Sequence, residues 1–147
     1  MEKAELTSED YRALADFRYQ IRRFLHFSEE ATREQGLEPQ QHQMLLAIRA
    51  LSESTGPTIG ELAAHLLIRH HSAVGLIDRL AARGLVERSR HGEDRRQVQI
   101  RLTAAGEGVL GHLAGIHREE LWKSGPLLVQ ILGGLLERSH RPALRPG

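Results

Sequence analysis

A mainly helical domain with one small β-hairpin is predicted by three observations, all within residues 58–103. First, Thr58 followed by Glu61 has the spacing of a capping box, in which hydroxyl and carboxylate satisfy orphan amides at a helix start. Leu62, Ala63 and Leu66 then fall on one face. Second, a helical pattern opening near Arg69 to Ser72 carries Ala73, Val74, Ile77, Leu80 and Ala81. At ~100° per residue these five share one stripe, and His71, Ser72, Gly75 and Arg79 occupy the opposite face. Gly84 is placed to stop this helix. Third, Val86 and Arg88 alternate with Glu87 and Ser89, and Val98, Ile100 and Leu102 with Gln97, Gln99 and Arg101. Two period-2 runs around the charged tip HGEDRR read as a hairpin. Helix, turn, helix and hairpin together make a winged helix-turn-helix within an α+β chain. That arrangement places one amphipathic helix to enter a DNA major groove, with a basic tip beside it.

The flanking elements are helical. Thr7 with Asp10 marks a helix start, and Leu14, Phe17, Ile21, Phe24, Leu25 and Ser28 recur at three- and four-residue steps. The pattern runs to about Gln35, where Gly36 ends it; at roughly 28 residues this is a long helix. Pro39 suits a first helical position, where its missing amide costs nothing. Met44, Leu45, Ile48 and Leu51 mark the buried face of the helix it opens. SESTGP is a loop. Beyond the hairpin, Thr103 caps a helix with Val109, Leu110, Leu113 and Ile116 inside. Its glycines Gly106, Gly108 and Gly111 each cost roughly 1 kcal/mol against Ala. Ser124-Gly125-Pro126 predicts a break. Leu127, Leu128, Ile131, Leu132, Leu135 and Leu136 then form a sixth helix, too apolar to stand alone. The expected order is α-α-α-α-β-β-α-α, within a single domain over 1–147. The tail 139–147, rich in Pro and Arg, reads as disordered.

Composition bounds the function. Cysteine is absent, which excludes disulfides and thiolate metal sites. No apolar run approaches the ~18 residues of a membrane span, and the acidic start MEKAELTSED lacks the apolar core of a signal peptide. Location in the cytoplasm, with no membrane partner, is the expectation. Charge is unevenly spread: residues 58–103 hold eight Arg and no Lys against five acids, while the rest of the chain is net acidic. A basic excess on the helix-hairpin unit is the footprint expected for phosphate binding.

Catalytic chemistry finds no support. There is no Gly-x-Ser-x-Gly, phosphate loop or Gly-x-Gly-x-x-Gly, and no enzyme or cofactor is expected. Nine histidines invite a metal reading. His70 and His71 are adjacent and diverge by about 100° on a helix, and His112 and His117 are five apart, a poor spacing for one face. With no His-Glu-x-x-His, no metal site is predicted. The contact set for DNA is better founded. His70, His71 and Ser72 stand at a helix start, where amides and hydroxyls suit phosphates and His reaches base acceptors. Arg69 precedes them, Arg79 lies about two turns along, and Gly75 would let the helix approach DNA closely.

The same residues carry a resemblance. IGELAAHL, SAVGLIDRLAARGLVER and EDRRQVQIRLTAAG resemble the MarR family of bacterial regulators, named for multiple antibiotic resistance. The order Leu-Val-x-Arg, Asp-x-Arg, Leu-Thr-x-x-Gly is specific, and it covers the middle third of the chain. The resemblance implies a homodimer interlocked through its terminal helices, 1–36 and 104–138, with 58–103 as the DNA-binding unit. It implies binding to a pseudo-palindromic operator in double-stranded DNA, as a repressor relieved by a small-molecule effector. In the wing, it makes Arg95 or Arg96 the residue inserted in the minor groove and Asp94 the acid that shapes the wing. An effector pocket between dimer helices and DNA-binding unit would draw on Phe17, Arg18, Tyr19, His42 and Trp122. Two other readings stay open: a winged helix that docks proteins rather than DNA, and a metal-responsive regulator. The second helix departs from the family by lacking a Ser, Thr or Asp just ahead of it, which leaves its cap undetermined.

Overall fold

The computed structural model describes residues 5–53, 55–90 and 97–139. Five helices and one hairpin follow in the order α1 (Ser8–Glu34), α2 (Pro39–Ala50), α3 (Ile59–Leu66), α4 (His70–Ala82), β1 (Val86–Ser89), β2 (Gln99–Leu102) and α5 (Ala104–Ser139). Local chemistry sets most of the boundaries. At the start of α1 the Thr7 amide donates to Asp10 Oδ2 (2.7 Å) and the Asp10 amide to Thr7 Oγ1 (3.3 Å). Both are orphan donors that the helix itself cannot satisfy. Gly36 ends α1 with φ +76°, and the Leu37 amide donates back to the Thr32 carbonyl (3.2 Å). The left-handed conformation costs glycine nothing. Glu38 and Gln41 box the start of α2, with Pro39 in its first turn. Thr58 Oγ1 accepts the Glu61 amide at 3.2 Å, as the capping-box spacing predicts.

The chain divides into two compact units, residues 29–116 and residues 1–28 with 117–147. The unit holding the helix-turn-helix is therefore wider than the 58–103 segment. It owns the core: Leu37, Met44, Leu45, Ile48, Leu62, Ile77, Leu80, Ile100 and Leu113 are all buried to 1% exposure or less. Burying a side chain of this size contributes about 1.5–3 kcal/mol, so these nine define the core of the unit. Leu76 of α4 is buried as well, beside the expected Ala73, Ile77 and Leu80.

β1 and β2 pair antiparallel with Val86 opposite Leu102 and Ser89 opposite Gln99. Gln99, expected on the polar face, is 6% exposed. A strand at a sheet edge normally wets one side, but here the segment ahead of α3 adds a bridge from Thr58 to Gln99. The Ile100 amide also donates to the Pro57 carbonyl at 2.8 Å. β2 is thus flanked on both edges, and the alternation read from sequence is overridden by tertiary pairing.

The other unit is described by α1 up to Ser28 and α5 from His117. Ser28 Oγ and a His117 ring nitrogen lie 2.6 Å apart, and Phe24 and Phe27 meet the His117 ring edge-on. Among its described residues none is fully buried. Leu14, Leu25, Leu127, Val129, Leu132 and Leu136 are all more than 40% exposed.

The expected break at Ser124-Gly125-Pro126 does not occur. α5 runs as one helix with Pro126 inside it, so there is no sixth helix. Proline disfavours helical backbone in its predecessor mainly through that residue's Cβ and amide. Gly125 has no Cβ, which removes part of that clash.

Candidate nucleic-acid interface

α4 is the element around which the site is built. Its inner face is fixed by Ala73, Leu76, Ile77 and Leu80 in the core, so rotation about its axis is settled by burial. Its start lacks a side-chain cap: Arg69 is the N-cap residue, in extended conformation, with no hydrogen bond from its side chain into the helix. The departure seen in the sequence is thus real. First-turn amides left without a side-chain partner at a helix N-terminus favour an anion there. His70, His71 and Ser72, which lead the helix, are all exposed.

The turn ahead of α4 is tight. Leu67 adopts φ +56°, and the Ile68 amide donates to the Ala63 carbonyl at 3.0 Å. A left-handed non-glycine residue costs roughly 1–2 kcal/mol, and the pattern of apolar residues gave no sign of it. This turn sets the crossing of α3 and α4 and so the aim of the exposed face.

Along that face His71, Gly75 and Arg79 recur at four-residue steps and so line up. Arg79 is exposed, and its guanidinium lies along α4, 3.9 Å from where a Cβ of Gly75 would stand. Gly75 therefore leaves an open strip beneath that guanidinium. Arg79, with Leu76, lines a groove of 300 Å³ against Glu38, Pro39, Gln40 and Gln41 of the α2 start.

Four arginines on and beside α4 divide into two kinds, a distinction with no sequence signal. Arg88 of β1 pairs with Asp78 of α4. Arg83 donates to the Gly36 carbonyl at 2.7 Å. Arg69 and Arg79 are exposed, and neither side chain takes part in a hydrogen bond or ion pair among the described residues. Two cations are tied into the fold and two are left for a ligand. In bulk solvent such cations are held by water alone, so phosphate oxygens can take them without breaking an internal pair.

The wing residues Asp94, Arg95 and Arg96 lie outside the described residues. Of the five expected pocket residues, Phe17, Arg18, Tyr19 and Trp122 belong to one unit and His42 to the other. His42 is buried, whereas Tyr19 and Trp122 are exposed, Trp122 to 69% with Arg118 4.9 Å above its ring. None of the five lines the 590 Å³ groove between Ala13 and Asp16 of α1 and Leu127, Ile131 and Glu137 of α5. No group of three or more metal-binding side chains is found among the described residues. No helix there is long and apolar enough to cross a membrane.

Residues 35–97 match the MarR family profile. The HTH-type transcriptional repressor YetL of Bacillus subtilis is 31% identical over 103 residues, covering 65% of this chain and 60% of that protein. The match thus spans less than two thirds of the curated relative. A mutant MarR from E. coli complexed with operator DNA superposes with a TM-score of 0.65 at 22% identity, covering 94% of this chain and 100% of that one. CouR from Rhodococcus jostii RHA1, bound to p-coumaroyl-CoA, gives 0.63 at 20% identity over 83% and 87%. These two likenesses carry the fold. With the profile on the helix-turn-helix and the repressor relative beside it, the chain is similar to the MarR family over residues 35–97.

Proposed function

We propose that this protein is a sequence-specific DNA-binding transcription regulator of the repressor type. Two copies would each lay α4 in a major groove of a pseudo-palindromic operator, with the hairpin wing alongside. The observation that carries this reading is the exposed face of α4. It opens on an uncapped helix start with His70, His71 and Ser72, and it holds Arg69 and Arg79 unpaired among the described residues. Amides and cations converge there, which suits the phosphates of a duplex. Residues 58–103 serve as the reading unit in this proposal.

The partner in dimerisation is a second copy of the chain, joined through the segments 1–36 and 104–138. The absence of any fully buried residue among the described part of the terminal unit supports this, since helices with exposed leucines need a covering surface. The relative YetL is named a repressor, and the ligand-bound neighbour CouR suggests the kind of control: a small organic effector that relieves repression. MarR family proteins are regulators and not enzymes, and this chain is assigned no reaction. Its place of action is the cytoplasm, with the DNA.

The test is an electrophoretic mobility assay with the DNA upstream of the protein's own gene at low salt. Retardation that survives excess non-specific competitor is the expected result. No retardation at 50 mM salt and micromolar protein would overturn the reading.

A further inference from the structure

Arg83 is the last residue of the α4 region before Gly84 turns the chain, and its guanidinium reaches back 47 residues. It donates to the Gly36 carbonyl at 2.7 Å and lies 3.5 Å from Gln41 Oε1. Both acceptors belong to the junction at which α1 ends and α2 begins. Gly36 is in the left-handed conformation, its amide donating to Arg33 (2.9 Å) and the next amide to Thr32 (3.2 Å). Its carbonyl is thereby turned out of the closing bonds of α1 and left for another donor. Gln41 is buried, and its Oε1 already accepts the Glu38 amide at 2.9 Å. The acceptor site is therefore built by one backbone carbonyl of the junction and one buried side chain that the Glu38 amide already holds. One guanidinium nitrogen of Arg83, Nη1, serves both acceptors.

We infer that Arg83 is a positioning residue: it fixes the C-terminal end of α4 to the α1–α2 junction, and so sets DNA affinity without contacting DNA. The inference rests on the DNA-binding reading above. α4 has no side-chain cap at its start. Its aim in the groove depends on the core beneath it and on ties at its far end, the Asp78–Arg88 pair and the Arg83 bond. A helix held at one end by a junction moves when that junction moves. Arg83 therefore also supplies a physical link by which a change at the end of α1 reaches the reading helix.

The experiment measures operator affinity against salt for the full chain and for Arg83→Met, which keeps the stem of the side chain but removes the donors. Affinity of the dimer is expected to fall about a hundredfold, about tenfold for the charge-assisted hydrogen bond lost in each subunit. The slope of log affinity against log salt is expected to stay unchanged. A direct phosphate contact would behave differently: each one lost lowers the slope by about 0.9, hence by nearly 2 per dimer. Gly36→Ala, which strains the left-handed acceptor, supplies the second arm. If Arg83 acts through Gly36, the double variant binds no worse than the weaker single variant.

A reduced slope, multiplying losses in the double variant, or unchanged affinity in Arg83→Met would each overturn the inference. Amide exchange at Leu37 and Arg83 gives a readout free of DNA. Arg83→Met is expected to speed exchange at both, and equal rates would overturn the tether itself. If the unmodified protein fails to bind DNA while exchange responds, the DNA reading falls and the tether stands.

Discussion

A Cβ on Gly106 would lie 2.0 Å from the carbonyl oxygen of Leu85. The first turn of α5 is pressed against the corner where α4 ends and β1 begins. The Thr103 amide donates to that same Leu85 carbonyl at 3.0 Å. Thr103 Oγ1 donates to the Gly84 carbonyl at 2.6 Å and accepts the Gly106 amide at 3.1 Å. One threonine thus caps α5 and ties it to the corner between the reading helix and the wing.

Two glycines two residues apart should therefore respond with opposite signs. Gly106→Ala forces backbone apart and is expected to destabilise by roughly 3 kcal/mol or more, as overpacking against a rigid neighbour does. Gly108 has nothing within 4 Å of its missing Cβ. Gly108→Ala should stabilise by about 0.5–1 kcal/mol through helix propensity alone. Urea unfolding of both variants checks the pair. Equal effects would mean that α5 does not start against Leu85.

The reading helix and the wing should separate in a selection from a random DNA pool. His71→Ala is expected to relax preference at one or two positions of each half-site, because a good major-groove contact contributes about 1–3 kcal/mol of discrimination. Arg95→Ala with Arg96→Ala should weaken binding to every sequence and leave half-site preference intact, since minor-groove contacts read mainly width and A·T content. Half-site centres should stand about 34 Å apart. Loss of half-site preference in the wing variant alone would reverse these roles.

The terminal unit should hold the protein as a dimer. Leu132 is 41% exposed in the single chain, on a unit without a fully buried described residue. Leu132→Glu places a charge on that apolar surface, and burying an unpaired carboxylate costs several kcal/mol. Light scattering is expected to give twice the chain mass for the natural protein and a smaller mass for the variant at micromolar concentration. A natural protein that scatters as a monomer would remove the two-fold operator argument.

Acid should loosen the start of α1. The Thr7 backbone amide, and then its hydroxyl, hydrogen-bond the Asp10 carboxylate and hold its pKa below the ordinary 3.8. A depressed pKa contributes stability that is present above the unfolded value and is lost as pH falls through the folded one. Carboxyl titration by NMR should place the Asp10 midpoint under 3.8, and Thr7→Ala should raise it partway. A midpoint at or above the ordinary value would mean that the cap does not persist in solution.

The sequence by itself determined the elements whose causes are local. Thr7 with Asp10, Thr58 with Glu61, Thr103, Gly36 and Gly84 set helix ends through bonds spanning three or four residues. Periods of 3.6 and 2 were enough to find α1 to α4 and both strands. The exposed set His71, Ser72 and Arg79 followed from the same arithmetic, because the inner face of α4 is apolar. Tertiary structure decided the rest. Gln99 is polar by pattern but buried, because Thr58 and Pro57 close the far edge of β2. The Pro126 signal ended no helix; Gly125 before it lacks the Cβ that supplies part of the clash. Gly106 and Gly108 read alike in sequence, yet only Gly106 meets a carbonyl contributed by another element. Above all, sequence counted eight arginines in one basic segment as equivalent. Only the fold separates Arg83 and Arg88, committed to partners as far as 47 residues away, from Arg69 and Arg79, which it leaves unpaired among the described residues. Pairing over such distances depends on where the whole chain places its backbone, and no local spacing encodes it.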